Sequence, residues 1–171
     1  SLLEKIILNG AASLVTVSEP LAEKLRKKYF QPIHVIYNSY DEADFCSPHS
    51  KIFNTIKKIV YTGTVHVEMQ DPTPMFQAFS DSLELRSKFS IEFYGYNLNE
   101  IEILANSMGL EQCVNFHGSI SRKEALLKQQ NADILLFLPW NDPLQKGILT
   151  GKLFEYIGAK RPILSIGSPT N

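Results

Sequence analysis

Lys58-Ile59-Val60-Tyr61-Thr62-Gly63 is rich in β-branched and aromatic residues and stops at a glycine, which reads as a strand with a turn at its carboxyl end. The pattern returns twice. Phe89 to Tyr94 is followed by Gly95, and Val114-Asn115-Phe116-His117 by Gly118. A helical segment separates each pair. Asp71-Pro72 sets an N-cap residue before a proline at the first helical position. Met75, Phe76, Phe79 and Leu83 continue it as one apolar face. Ile101, Leu104, Ala105 and Met108 form the next stripe, stopped by Gly109. Strands alternating with helices of this length predict an α/β domain, a parallel sheet with helices on both faces.

The alternation extends both ways. Toward the carboxyl end, Ser121-Arg122-Lys123-Glu124 is a capping box that opens a helix. Ile134 to Leu138 is apolar without alternation, as a strand buried on both faces requires. Residues 139–149 read as a loop, Lys152 to Ile157 as a helix and Pro162 to Ile166 as a strand. Toward the amino end, Leu14-Val15-Thr16-Val17 is a short strand. Ser18 is a helix N-cap with Pro20 in the first turn, and Leu21, Leu25 and Tyr29 share one helix face. His34-Val35-Ile36-Tyr37 is another strand, and the irregular, polar residues 38–56 read as a linker. The chain opens on Ser1-Leu2-Leu3-Glu4 and stops just past a strand, so both ends read as boundaries within a longer protein.

Composition narrows the function. The 171 residues are 44% hydrophobic and 20% charged, with 17 basic against 18 acidic side chains. That balance suits one compact domain and carries no electrostatic footprint for nucleic acid. Lys24, Arg26, Lys27 and Lys28 form the one dense cationic run, which reads as a solvated helix face or as a membrane-surface patch. Cys46 and Cys113 lack CxxC spacing, and His34, His49, His66 and His117 show no metal-ligand spacing. Reduced thiols in a cytoplasmic protein are the expectation. No apolar run approaches bilayer-spanning length. No GxGxxG follows a strand, which argues against a nicotinamide dehydrogenase.

Gly63, Gly95 and Gly118 fall at one edge of the predicted sheet. Ligands of open α/β sheets bind outside that edge, and glycine admits close backbone approach. Each glycine alone reads as a plain turn residue; three at one edge put a ligand edge on an equal footing with that reading.

The order of these blocks resembles the group-1, family 4 retaining glycosyltransferases. The family runs as "vtvS", then "vIpNGvD…F", which here are Leu14-Val15-Thr16-Val17-Ser18 and Val35-Ile36-Tyr37-Asn38-Ser39-Tyr40-Asp41 with Phe45. Glycine-ended strands follow at Val60-Tyr61-Thr62-Gly63-Thr64, Ile91-Glu92-Phe93-Tyr94-Gly95-Tyr96 and Val114 to Ile120, the last with Glu124. Then come Ala132 to Pro139, and Gly151-Lys152-Leu153-Phe154-Glu155-Tyr156-Ile157 with Arg161-Pro162-Ile163-Leu164. The resemblance implies a GT-B architecture, two Rossmann-like domains facing a cleft. Residues 1–37 would end the N-terminal, acceptor domain and the crossover. Residues 57–171 would form the Rossmann-like C-terminal domain, which binds the nucleotide sugar and is truncated before its last helix.

Sugar transfer from a nucleoside diphosphate leaves negative charge on the diphosphate, which helix N-termini, cations or a metal stabilise. The sequence holds no DxD-type carboxylate cluster, so a metal-free, cofactor-free site is expected. By the resemblance, Glu155 is the second Glu of the family's E-x7-E motif and accepts hydrogen bonds from the ribose; otherwise it is an exposed helix Glu complementing the dipole. Thr150, Gly151 and Lys152 open the same helix, where free N–H groups can cradle a diphosphate. Lys152 either adds a charge there or is a surface lysine. Gly63 and Thr64 match the loop facing the phosphates. Gly118 and Ile120 match the segment whose backbone pairs with the base edge. Gly95 and Tyr96 match the loop near the base, where Tyr96 either stacks on it or covers the sheet edge.

Three departures qualify the resemblance. The family's first Glu falls at Gly147, with Asp142 or a backbone group as candidate replacements. Val65 to Gln70 holds no Arg or Lys to clamp the diphosphate, and His66 and Lys146 are weak substitutes. The family's Asn-Gly turn is Asn38-Ser39. The expected donor is a UDP- or GDP-sugar and the acceptor a saccharide or a lipid-linked saccharide, in surface polysaccharide or glycoconjugate synthesis. Membrane association would belong to the full-length protein, at the inner face. The fragment alone should bind donor without transfer. The departures also fit a non-catalytic GT-B-like interaction module.

Overall fold

The computed structural model describes residues 2–45, 55–141 and 150–167. Helix α1 (Leu2–Asn9), strand β1 (Leu14–Thr16), helix α2 (Glu19–Arg26) and strand β2 (Ile33–Val35) come first. β1 and β2 pair in parallel, with Leu14 opposite Ile33. After a 3-10 turn at Glu42–Phe45 come β3 (Lys57–Thr62), α3 (Thr73–Asp81), α4 (Leu83–Lys88), β4 (Phe89–Tyr94) and α5 (Asn99–Ser107). The chain continues as β5 (Val114–Phe116), α6 (Arg122–Gln130), β6 (Ile134–Phe137), α7 (Gly151–Gly158) and β7 (Ile163–Ser165).

The larger sheet has the order β5-β4-β3-β6-β7, and every pairing in it is parallel. The chain winds outward from β3 through β4 and β5, then returns to the other flank of β3 as β6. The reversal between β3 and β6 is a topological switch point, where open α/β sheets hold ligands at their carboxyl edge. Period-two alternation divides the core into two layers. Ile59, Tyr61, Ile91 and Phe93 pack with Met75, Phe76 and Phe79 of α3 and Ile101 and Ala105 of α5. Val60, Tyr94 and Leu135 pack with Tyr156 of α7, Ala132 and Ala159. The predicted α/β architecture with helices on both faces is therefore present.

The strand-exit glycines stand side by side. The Gly63 N–H donates to the Tyr94 carbonyl at 2.7 Å, and the Gly95 N–H to the Gly118 carbonyl at 2.7 Å. Gly63 has φ +112° and Gly95 φ +152°, both outside the range that side-chain-bearing residues favour. A Cβ on Gly95 would collide with the Gly63 carbonyl.

Several local expectations shift. Asp71 lies one residue outside the α3 N-cap, which is Pro72, but its carboxylate still accepts the Thr73 N–H at 2.9 Å. Leu83 does not extend the α3 face. Ser82 turns extended (φ −127°), ends α3 and caps α4 by accepting the Leu85 N–H, which leaves Leu83 76% exposed. Ser18 holds the predicted N-cap position of α2, yet its buried hydroxyl finds no protein partner. The strand predicted at residues 34–37 starts a residue earlier and stops at Val35, with Ile36 and Tyr37 exposed. Helix α1 is an addition; Leu2, Leu3, Ile6 and Ile7 recur at helical spacing but remain exposed. Within the predicted linker, Tyr40 and Phe45 lie where a Cβ on Gly158 of α7 would fall, at 2.7 and 2.6 Å. That segment is packed against the domain. Residues 46–54 lie outside the described residues.

Gly95→Ala should cost more than about 2 kcal/mol, because backbone strain and a backbone collision act together. Leu83→Ser, at an exposed position, should stay within about 0.5 kcal/mol. Urea unfolding midpoints read both, and a Gly95→Ala variant as stable as the parent would refute the contact between the two glycines.

Candidate functional site

The carboxyl end of β3 organises the site. The Thr62 N–H donates to the Tyr156 hydroxyl at 3.2 Å, which ties α7 to β3. From α6, the Gln129 amide donates to the Thr62 hydroxyl at 2.9 Å and to Glu155 Oε2 at 3.3 Å. Gln129 is 1% exposed, and its carbonyl oxygen has no protein partner. Glu155 therefore faces the carboxyl end of β3. Its other oxygen lies 3.4 Å from the Arg122 guanidinium, which also pairs with Asp44 at 2.7 Å. That double hydrogen bond holds the Asp44 carboxyl below its usual range. The Glu155 side chain remains 30% exposed.

Lys152, on the first turn of α7, turns inward. Its ammonium lies 3.7 Å from the Tyr61 ring centroid. The same atom is 3.2 Å from where a Cβ on Gly63 would fall, so a bare Gly63 makes room for it. Burial drives the Lys152 pKa down to about 7, although the nearby Glu155 carboxylate pulls the other way. The electron-rich Tyr61 face likewise favours the charged form. This is not a surface lysine. Thr150 is the α7 N-cap, but its side chain makes no capping bond and its buried hydroxyl is unpartnered. Gly151 is exposed, with no atom within 4 Å of a Cβ placed on it. Among the described residues no side chain caps the amino end of α7.

Gly118 has φ +69° and accepts the Gly95 N–H through its carbonyl. Ile120 is half-buried against the α7-side core layer. The Tyr96 ring is 64% exposed, and its carbonyl accepts the Val65 N–H at 3.3 Å. Thr64 accepts the Tyr61 hydroxyl through its carbonyl at 2.8 Å. All ten predicted site residues therefore belong to the carboxyl edge and the start of α7. His66 faces Trp140, with ring centroids 5.6 Å apart, rather than the Lys152 side. Gly147, Asp142 and Lys146 lie outside the described residues.

Three positioning groups escape a reading by motif. Arg122 and Gln129 are seven residues apart on α6, a spacing that shares one helix face; that was their available signal. The third is Glu92, on β4. It meets His117 Nε2 at 2.6 Å, and His117 stacks on Tyr94 at 4.4 Å between centroids. Burial alone would raise the Glu92 pKa, but hydrogen bonds to His117 and Ser90 outweigh it and hold the carboxyl below its usual range. This pair anchors the residue that leads into Gly118.

No protein-family model and no curated protein sequence matches the chain. Solved structures do. WaaG, a glycosyltransferase involved in lipopolysaccharide biosynthesis, superposes with a TM-score of 0.71 at 15% identity, over 96% of this chain and 47% of that one. TarM of S. aureus gives 0.68 at 15% identity, over 96% of this chain and 32% of TarM. This chain has the GT-B glycosyltransferase fold. Anabaena Alr3699/HepE, solved with UDP and glucose, gives 0.67 at 13% identity over 91% and 44%. The chain thus spans a third to just under half of these GT-B proteins.

Lys152 makes stability depend on pH. Its folded pKa, about 7, lies below its ordinary 10.5, so between those values the unfolded chain binds more protons and stability rises with pH. Urea unfolding at pH 7, 8 and 9 should show that rise in the parent chain and a flatter profile in Lys152→Met. Equal slopes would mean that the ammonium is not buried.

Proposed function

We propose that the chain is the donor-binding part of a retaining glycosyltransferase that uses a UDP- or GDP-sugar. The observation that carries this reading is the tether from Glu155 through Gln129 to Thr62, next to an amino end of α7 that no described side chain caps. In this reading Glu155 accepts the ribose hydroxyls, with Gln129 and Arg122 holding its orientation. Thr150, Gly151 and Lys152 hold the diphosphate with Gly63 and Thr64 beneath it. Gly118 and Ile120 present backbone to the base, and Gly95 and Tyr96 border it.

Lys152 also answers the missing basic pair. Residues 65–70 hold no Arg or Lys, but a cation from α7 reaches the same turn at Gly63. A diphosphate there would hold Lys152 in its charged form and take up a proton near neutral pH. Leaving-group stabilisation then needs no metal. Residues 1–37 would belong to the acceptor domain and crossover, and 57–171 to the donor domain, with 38–56 between. The acceptor, a saccharide or lipid-linked saccharide, would bind the other domain, in surface polysaccharide or glycoconjugate synthesis at the cytoplasmic face of a membrane. TarM and Alr3699/HepE, both solved with UDP, support a uridine nucleotide as the first donor to try. A second reading, a non-catalytic interaction module, draws on Gly147 standing where the family has its first Glu.

At a hundredfold excess over Kd, UDP or GDP should stabilise the chain by about 2.7 kcal/mol. Glu155→Ala should weaken binding about tenfold or more, the cost of losing charged hydrogen bonds. Affinity should fall as pH rises above about 7, since the free ammonium then needs a proton before it can pair. A melting temperature unmoved by millimolar UDP and GDP would end the donor reading. The intact protein separates the two readings: binding without hydrolysis or transfer of any nucleotide sugar favours the interaction module.

A further inference from the structure

Arg122 stands between two carboxylates from different parts of the chain. Asp44 belongs to the 3-10 turn Glu42–Phe45, inside the predicted linker, and Glu155 to α7. The guanidinium holds Asp44 with both arms, Nη2 to Oδ2 at 2.7 Å and Nη1 to Oδ1 at 3.2 Å. Its approach to Glu155 is one contact, Nη2 to Oε1 at 3.4 Å. Arginine–carboxylate bonds are strongest at about 2.8 Å and as a two-armed fork, so Asp44 has the firmer hold. The hydrogen bond and charge of Asp44, ahead of those of Glu155, keep the Arg122 pKa above its ordinary value.

Both partners are placed by contacts of their own. Asp41 shapes the turn: its carboxylate accepts the Ala43 N–H at 2.9 Å and its carbonyl the Asp44 N–H at 3.1 Å. The turn is docked on α6 and α7. The amide of buried Gln130 donates to the Asp44 carbonyl at 3.3 Å, and Arg161 Nε donates to the Gln130 carbonyl at 2.7 Å. Tyr40 and Phe45 meet edge to face, with centroids 5.7 Å apart, where they close on Gly158 of α7. Arg122 opens α6 behind the Ser121–Glu124 capping box. On Glu155, Gln129 occupies Oε2 at 3.3 Å, so Oε1 is the oxygen that faces Arg122.

A carboxylate accepts a ligand's hydroxyls through lone pairs that no cation has already engaged. At 3.4 Å Arg122 steadies Glu155 without saturating it. Once Asp44 is removed, the freed guanidinium has Glu155 as the carboxylate already beside it, and attraction between opposite charges draws it in. Oε1 is then taken by an arginine fork. We propose that Asp44 is a positioning residue for Glu155: by holding Arg122 on the linker turn, it keeps Glu155 Oε1 available to a ligand. Docking of the turn and binding at Glu155 then favour each other, since such coupling is reciprocal. Its consequence for a nucleotide rests on the donor reading of Glu155; the arrangement of the three side chains does not.

Two readouts on the full chain test this. The first is calorimetric binding of UDP and GDP to the parent, to Asp44→Ala, to Arg122→Gln and to the double variant. Asp44→Ala should weaken binding about threefold, the scale of an exposed ion pair, and Asp44→Glu should restore most of it. In the Arg122→Gln background, Asp44→Ala should have no further effect, because the group it releases is gone. A turn merely disordered by the substitution would weaken binding in both backgrounds. The second readout needs no nucleotide: the NMR signal of the Glu155 side-chain carboxyl carbon should move in Asp44→Ala and stay still when the same change is made on Arg122→Gln. Unchanged or tighter binding in Asp44→Ala, an equal loss in both backgrounds, or an unmoved Glu155 signal overturns the proposal. If the parent binds neither UDP nor GDP while the Glu155 signal still answers to Asp44 through Arg122 alone, the donor reading falls and the positioning of Glu155 by Asp44 stands.

Discussion

Contact between two backbones at the carboxyl edge constrains everything around it. The Gly63 carbonyl occupies the space a side chain on residue 95 would need. Gly63 in turn leaves room for the Lys152 side chain. Because neither position carries a Cβ, β3 and β4 continue their hydrogen-bonded ladder past the last strand residue, and Gly118 joins from β5. The result is a flush backbone edge at the switch point. A bulkier residue at either position would push β4 outward or expel the lysine. The close approach that lets α7 face the edge would then be lost.

Two buried glutamines divide the polar work across that edge. Gln129 joins α6 to the end of β3 and reaches Glu155. Gln70 joins the β3 exit turn to the end of β6 and sets the wall that carries His66 and Trp140. Burying an amide is unfavourable unless its bonds are made, so each marks a place where the fold trades desolvation for position. On the α7 side, a cation and a helix end that no described side chain caps suit an anion.

Much of the fold was legible because its signals are local. Strand runs that end in glycine, helical stripes and the Ser121–Glu124 capping box each depend on residues a few positions apart, and all recur in the structure. The failures were also local but finer. Leu83 continued the apolar spacing of α3, yet Ser82 turned the backbone and capped a new helix instead. Ser18 had the right type and place for a cap, and burial left its hydroxyl unpartnered. Tyr40 and Phe45 looked like linker residues because their partner, Gly158, is more than a hundred residues away in sequence.

From the sequence alone came the α/β class and the shared edge of three glycines, since order and short-range spacing encode these; Glu155 was singled out by the family resemblance. Only tertiary structure decided what each side chain meets. It set Lys152 over the Tyr61 ring, bridged Glu155 to Thr62 through Gln129 and paired Arg122 with Asp44. It also brought His66 to Trp140. Such contacts join residues separated by tens of positions, and they exist because parallel strands carry their exits to one edge. Burial then changes the chemistry: a lysine reads as a cation in a sequence, and becomes a group poised near neutrality only where the fold withdraws it from water.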